Sequence, residues 1–124
     1  MGLLRWIANQ RRWRQEHVAA FEAVSQLRPD GLTAFQHQAL DAVARFVSAD
    51  TFKHVPMEQE PGVYLLAPLG ASGFELYIYP NEASIFGRKP HAWLEEWDYK
   101  TPDELLTALA DECARRLSAA DGTG

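Results

Sequence analysis

One cysteine, Cys113, stands in a chain of 124 residues, so no intrachain disulfide can form. A small secreted domain usually carries several such bridges, which makes a reducing cytoplasm the expected compartment. Long apolar runs are missing as well. Leu3, Leu4 and Ile7 are interrupted by Arg5 and followed by Arg11-Arg12-Trp13-Arg14, a pattern of neither a signal-peptide core nor a membrane span. N-myristoylation wants Ser or Thr at position 6 behind Met1-Gly2, and Trp6 stands there. No internal repeat, low-complexity tract, HExxH motif, Cys/His metal spacing or phosphate-binding loop occurs. No cofactor and no metal is therefore expected, and no catalytic residue stands out.

What is there is ordinary for a globular core. The hydrophobic share is 47% against 23% charged, with six Phe, four Trp and four Tyr, too apolar for a disordered chain. The length fits one domain, since a second core would have too little apolar material. The net charge is −5 and uneven: residues 1–30 set five arginines against three acids, so the remainder carries −7. An acidic body repels phosphate backbones and favours basic partners.

Apolar spacing divides the chain. Trp6, Gln10, Trp13, His17, Ala20, Phe21 and Val24 recur at steps of three and four, one stripe of a first helix running to about Leu27. Pro29 and Gly31 stop it. Thr33-Ala34-Phe35-Gln36 matches a capping box and opens a second helix over 32–50, with Phe35, Ala39, Val43 and Phe46 inward. From 51 to 99 the period becomes that of strands: 51–55, 63–67, 74–79, 83–86 and 93–99, separated by proline- or glycine-bearing turns. The last of these should place Trp93, Glu95, Trp97 and Tyr99 on one side and Leu94, Glu96 and Asp98 on a solvent-facing other. Thr101, with Pro102 and Glu104, then caps a final helix over 101–118 whose stripe is Leu106, Leu109, Ala110, Cys113 and Leu117, and 119–124 should fray. The fold class is α+β: two N-terminal helices, an antiparallel meander of four or five strands, and a C-terminal helix packed on the sheet.

Candidate chemistry is sparse. Cys113 lies on an apolar stripe and reads as a small buried hydrophobe. His17 reads as an interior or boundary imidazole, and His37 with Asp41 as an exposed pair at helical spacing, with no third ligand visible in the sequence to make a metal site. His54 and His91 are isolated beside prolines. Gly70-Ala71-Ser72-Gly73 has its last glycine one residue early for a nucleophile elbow and reads as a turn. Tyr77 and Tyr79 on one strand face resemble a base-stacking platform, but Glu75 and the acidic body disfavour nucleic acid. The densest acidic and aromatic stretch is Glu95, Glu96, Trp97, Asp98 and Tyr99, with Asp103, Glu104, Asp111 and Glu112 nearby, and aromatics among charges are typical interface anchors.

The expected function is therefore a non-catalytic protein-binding module whose docking surface is Glu95 to Tyr99 and whose partner is basic. In size, acidity and α+β layout the chain is similar to immunity proteins that neutralise toxins, such as small nuclease inhibitors; the likeness is one of class and transfers no residue. The rival expectation is nucleic-acid or anionic-membrane binding through Arg5, Arg11, Arg12 and Arg14 beside Trp6 and Trp13. A small enzyme with an unrecognised site is a third. Leu3, Leu4 and Ile7 fall off the main stripe, where they could pair two copies.

Overall fold

Caps and turn residues partition the chain much as its spacing predicts. The computed structural model describes residues 16–87 and 92–122, and the first element within it is helix α1, residues 16–24. His17 and Phe21, one turn apart on α1, are both buried with ring centroids 4.9 Å apart. The chain then reverses: the Arg28 N–H donates to the Leu32 carbonyl at 2.7 Å, and Asp30 Oδ1 accepts the Leu32 N–H at 3.0 Å. Helix α2 (Ala34–Ala42) follows with both halves of its capping box formed. It is shorter than the 32–50 expected. Beyond its cap at Val43 the chain runs through turns in which the Phe46 and Val47 N–H groups both reach the Val43 carbonyl, at 2.8 and 2.9 Å. Val43 and Val47 stay buried, so apolar periodicity continues past the point where the helix ends. A 3-10 turn, Ala49–Thr51, leads into the sheet.

The sheet has five antiparallel strands, β1 (Lys53–Pro56), β2 (Val63–Pro68), β3 (Glu75–Ile78), β4 (Ala83–Phe86) and β5 (Ala92–Leu94), neighbouring one another in chain order. Leu65 lies opposite Ile78, Ile78 opposite Ala83, and Ala83 opposite Leu94, so one face carries these residues with Ala67, Leu76 and Ile85. All are buried, in one cluster with Phe21 of α1, Phe35 and Ala39 of α2, and Leu105, Leu109 and Cys113 of the C-terminal helix α3 (Pro102–Gly122). Each buried Leu, Ile or Phe contributes about 1.5–3 kcal/mol. Sequence spacing left open which sheet face the helices cover, and the structure answers it: the opposite face presents Tyr64, Tyr77, Phe86 and Trp93, half-buried or exposed.

Two expectations about the C-terminal third are corrected. The strand expected over 93–99 stops at Leu94 and gives way to a 3-10 turn, Glu96–Asp98. Its sides are also inverted, since Leu94 is buried and Trp93 is 48% exposed. The physical reason is the alternation itself: extending β5 would drive Glu96 and Asp98 inward behind Leu94, and burying two unpaired carboxylates costs far more than a turn. Helix α3 in turn runs to Gly122, past the 118 expected. At its start Thr101 Oγ1 accepts the Glu104 N–H at 3.2 Å, while Glu104 Oε2 reaches back to the Lys100 N–H at 3.0 Å.

Candidate docking groove

Antiparallel register puts the β1–β2 connection, the β3–β4 turn and the exit of β5 at one end of the sheet, and a groove of about 560 Å³ opens there. The β1–β2 connection contributes Met57 and Glu60, the β3–β4 turn contributes Tyr79 and Glu82, and the segment after β5 contributes Glu95 and Glu96. Leu27, between α1 and α2, closes one side. A second hollow of about 510 Å³ adjoins it, shares Met57, Glu60, Tyr79 and Glu82, and adds Tyr64 and Glu58.

Tyr79 lines both hollows and Tyr64 the second, and they belong to a row of aromatic rings on the sheet face away from the helices. Tyr64 and Tyr79 have centroids 5.4 Å apart at an interplanar angle of 35°, and Trp93 lies beyond Tyr79 at 6.2 Å and 21°. Tyr77 joins both tyrosines and Phe86, and Phe86 meets Trp93 edge-on, so five rings form one continuous network. The turn above it is pinned twice. The Tyr79 N–H donates to the Glu82 carbonyl at 2.8 Å, and the Thr33 hydroxyl at the start of α2 donates to the Pro80 carbonyl at 2.7 Å. Gln36 extends the same brace, its side-chain amide donating to the Val63 carbonyl at 2.7 Å and the Ile78 carbonyl at 3.3 Å. The helix cap thus holds the groove wall in place.

The rim is acidic. Burial pushes the half-buried Glu82 carboxyl above its ordinary pKa, and Glu95, Glu96 and Glu60 push it further in the same direction. Among the described residues no basic group acts on it, and none of these four carboxylates has an ion-pair partner. The phenol of Tyr79 is also raised, by burial first, then by Tyr64 and Glu82, against the opposing pull of the nearby Ser84 hydroxyl. A cation entering the groove would offset the repulsion among these carboxylates.

No family model matches the chain, and no curated protein and no solved structure matches it.

The residues expected to bind a partner are only partly brought together. Glu95 and Glu96 line the groove. Asp98 is exposed outside it, and Tyr99 is half-buried against the core, its phenol raised by burial and by Asp98 and Glu112. Trp97 has its side chain outside the described residues, as do the anion-binding candidates Arg5, Arg11, Arg12 and Arg14 and the pairing candidates Leu3, Leu4 and Ile7. Glu60, Glu82 and Tyr64 were not foreseen as site residues. Of the acids on α3, Glu112 is spent on Arg115 and Arg116 and Glu104 on the helix start. His37 pairs with Asp30, Nε2 to Oδ2 at 2.6 Å, and not with the expected Asp41, because the turn before α2 folds the Asp30 carboxylate back over the helix's first turns. Cys113 is fully buried with its thiol pushed up to about 12 by that burial and by Glu112, so it is no thiolate at neutral pH. Ser72 closes its turn, accepting the Phe74 N–H at 3.2 Å and donating to the Leu69 carbonyl. Among the described residues no three of His, Cys, Asp and Glu converge as metal ligands, and no helix is long and apolar enough to cross a membrane.

Proposed function

We propose that this protein is a non-catalytic binding module of the cytoplasm that captures a basic protein, in the manner of immunity and inhibitor proteins, and that the groove at the sheet end is its docking site. The observation that carries this reading is that Glu60, Glu82, Glu95 and Glu96 line one groove beside Tyr79, and that among the described residues none of the four has an ion-pair partner. Exposed carboxylates that repel one another cost the free protein stability and are neutralised when a cationic surface docks. The Tyr79 ring beside them supplies apolar contact area. This docking surface replaces the stretch Glu95 to Tyr99 as a contiguous face and keeps its first two acids.

The test is charge reversal at two places. A variant carrying Glu82→Lys, Glu95→Lys and Glu96→Lys should lose binding to an immobilised peptide of mixed lysine and arginine. A control with Glu22→Lys, Asp41→Lys and Asp111→Lys has the same net charge, with the changes on exposed helix positions, and should keep most of it. Equal loss in both folded variants would mean that only overall charge matters and that no docking site exists in the groove.

A further inference from the structure

We infer that the partner's basic segment carries an apolar side chain among its charges, and that this side chain seats in the groove against Leu27, Met57 and Pro80 while its basic neighbours meet the carboxylates of the rim. This rests on the docking reading above and adds the recognition element that charge does not supply. Carboxylates on a wet rim govern attraction and encounter rate, but they contribute little to how long a complex lasts. The groove holds more than carboxylates. Leu27 is 44% exposed, and it is not an apolar residue scattered singly over a surface, because Met57, Pro61 and Pro80 line the same groove.

The apolar wall is built before any partner arrives. Leu27 lies between α1 and α2, bridged to Thr33 across the reversal, and the Thr33 hydroxyl in turn holds the Pro80 carbonyl at 2.7 Å. Gly62 passes close to both side chains: a Cβ built there would lie 3.3 Å from Leu27 Cδ2 and 3.8 Å from Pro80 Cγ. The Gly62 carbonyl accepts the Met57 N–H at 3.1 Å, which sets Met57 alongside. Leu27 is therefore packed on the scaffold while nearly half of it stays open, a contact surface with little ordering left to lose on binding. Methionine beside it adapts to side chains of different shape. The rim decides what brings the apolar group. Glu60, Glu82, Glu95 and Glu96 disfavour a second copy of this chain, itself at −5, as well as phosphate-bearing polymers and anionic lipid. A basic polypeptide segment with one apolar residue complements both parts of the groove.

Binding kinetics on the immobilised full chain test the assignment, with two lysine-rich peptides of equal length and charge that differ only in leucine or serine at the central position. The leucine peptide should bind about tenfold more tightly at physiological salt, the difference lying in a slower dissociation. Leu27→Ser should erase that preference and leave the serine peptide's affinity unchanged. Met57→Gln keeps the length of the side chain and removes its apolar tip; it should reduce the preference, and serves if the Leu27 variant does not fold. Glu82→Gln should weaken both peptides alike, by a factor that shrinks as salt is raised. Equal affinities for the two peptides in the wild-type protein would overturn the apolar anchor and leave the docking reading standing. A preference for leucine that survives intact in both the Leu27 and Met57 variants would overturn its placement in this groove. Binding of neither peptide would overturn both readings.

Discussion

Gly87 follows β4 at a backbone φ of 139°, where a side chain has nowhere to go. A Cβ built there would lie 2.6 Å from the Gly73 carbonyl oxygen and 3.0 Å from Phe74 Cα, both backbone atoms of the opposite hairpin. Gly31 is the useful contrast, because its φ of 85° is equally a glycine conformation but nothing lies within 4 Å of the added carbon. Gly31→Ala therefore carries only the conformational cost, about 1–2 kcal/mol. Gly87→Ala adds a backbone collision and should cost about 3 kcal/mol or more. Urea denaturation of both variants separates the terms, and a Gly87→Ala protein as stable as Gly31→Ala would mean that the two hairpins do not approach as closely as described. Sequence reading placed turns at both glycines from their neighbours. That the second abuts Phe74 is a property of strand pairing, which no local pattern contains.

Thr33 and Gln36 do more than start a helix. Each satisfies the other's backbone amide, Gln36 N–H to Thr33 Oγ1 at 3.1 Å and Thr33 N–H to Gln36 Oε1 at 2.9 Å, and each then reaches the sheet through its remaining donor. Thr33→Val keeps the shape and removes both hydroxyl bonds, so it should cost about 2 kcal/mol, above a solvent-exposed cap, because the carbonyl of Pro80 and the amide of Gln36 lose partners together. Thr33→Ser should cost much less. Hydrogen exchange checks the mechanism: amides of the Tyr79–Glu82 turn should lose protection in the valine variant, and a loss confined to α2 would show that the cap and the groove wall are uncoupled. Element order and most boundaries were legible because caps, prolines and glycines act locally. The end of α2 and the end of β5 were not. Val43 and Val47 continue a helical spacing inside turns, and the alternation from Trp93 to Tyr99 fits a strand until the burial it would force on Glu96 and Asp98 is weighed.

At the scale of the whole molecule, the acids of the groove come from connections far apart in the chain, and only five-strand register brings them together. Reading along the sequence favoured the local density of Glu95 to Tyr99 and the acids of α3; it could not pair Glu60 with Glu82, because that proximity depends on β1–β2 and β3–β4 turning at the same end. The consequence is a pH dependence of stability with a definite sign. Glu82 has a folded pKa above its ordinary value of 4.5, so between the two values the folded state binds more protons than the unfolded chain, and stability falls as pH rises through that window. Asp30 has the opposite sign: the Leu32 N–H first, then His37, hold its carboxyl below 3.8, so its contribution is present at neutral pH and fades as acid protonates it. Because Asp30 acts in both proteins, comparing wild type with Glu82→Gln across pH isolates Glu82. The glutamine variant should be the more stable at pH 7, by less than about 1 kcal/mol given the screening of a half-exposed carboxyl, and the two should converge well below the ordinary value of 4.5, where Glu82 is protonated in both states. A difference that stays constant with pH, or a variant that is less stable at pH 7, would show that burial and the neighbouring acids do not disfavour the Glu82 carboxylate in the folded protein. Stability gained there together with binding lost is the signature of acids kept for a partner and not for the fold.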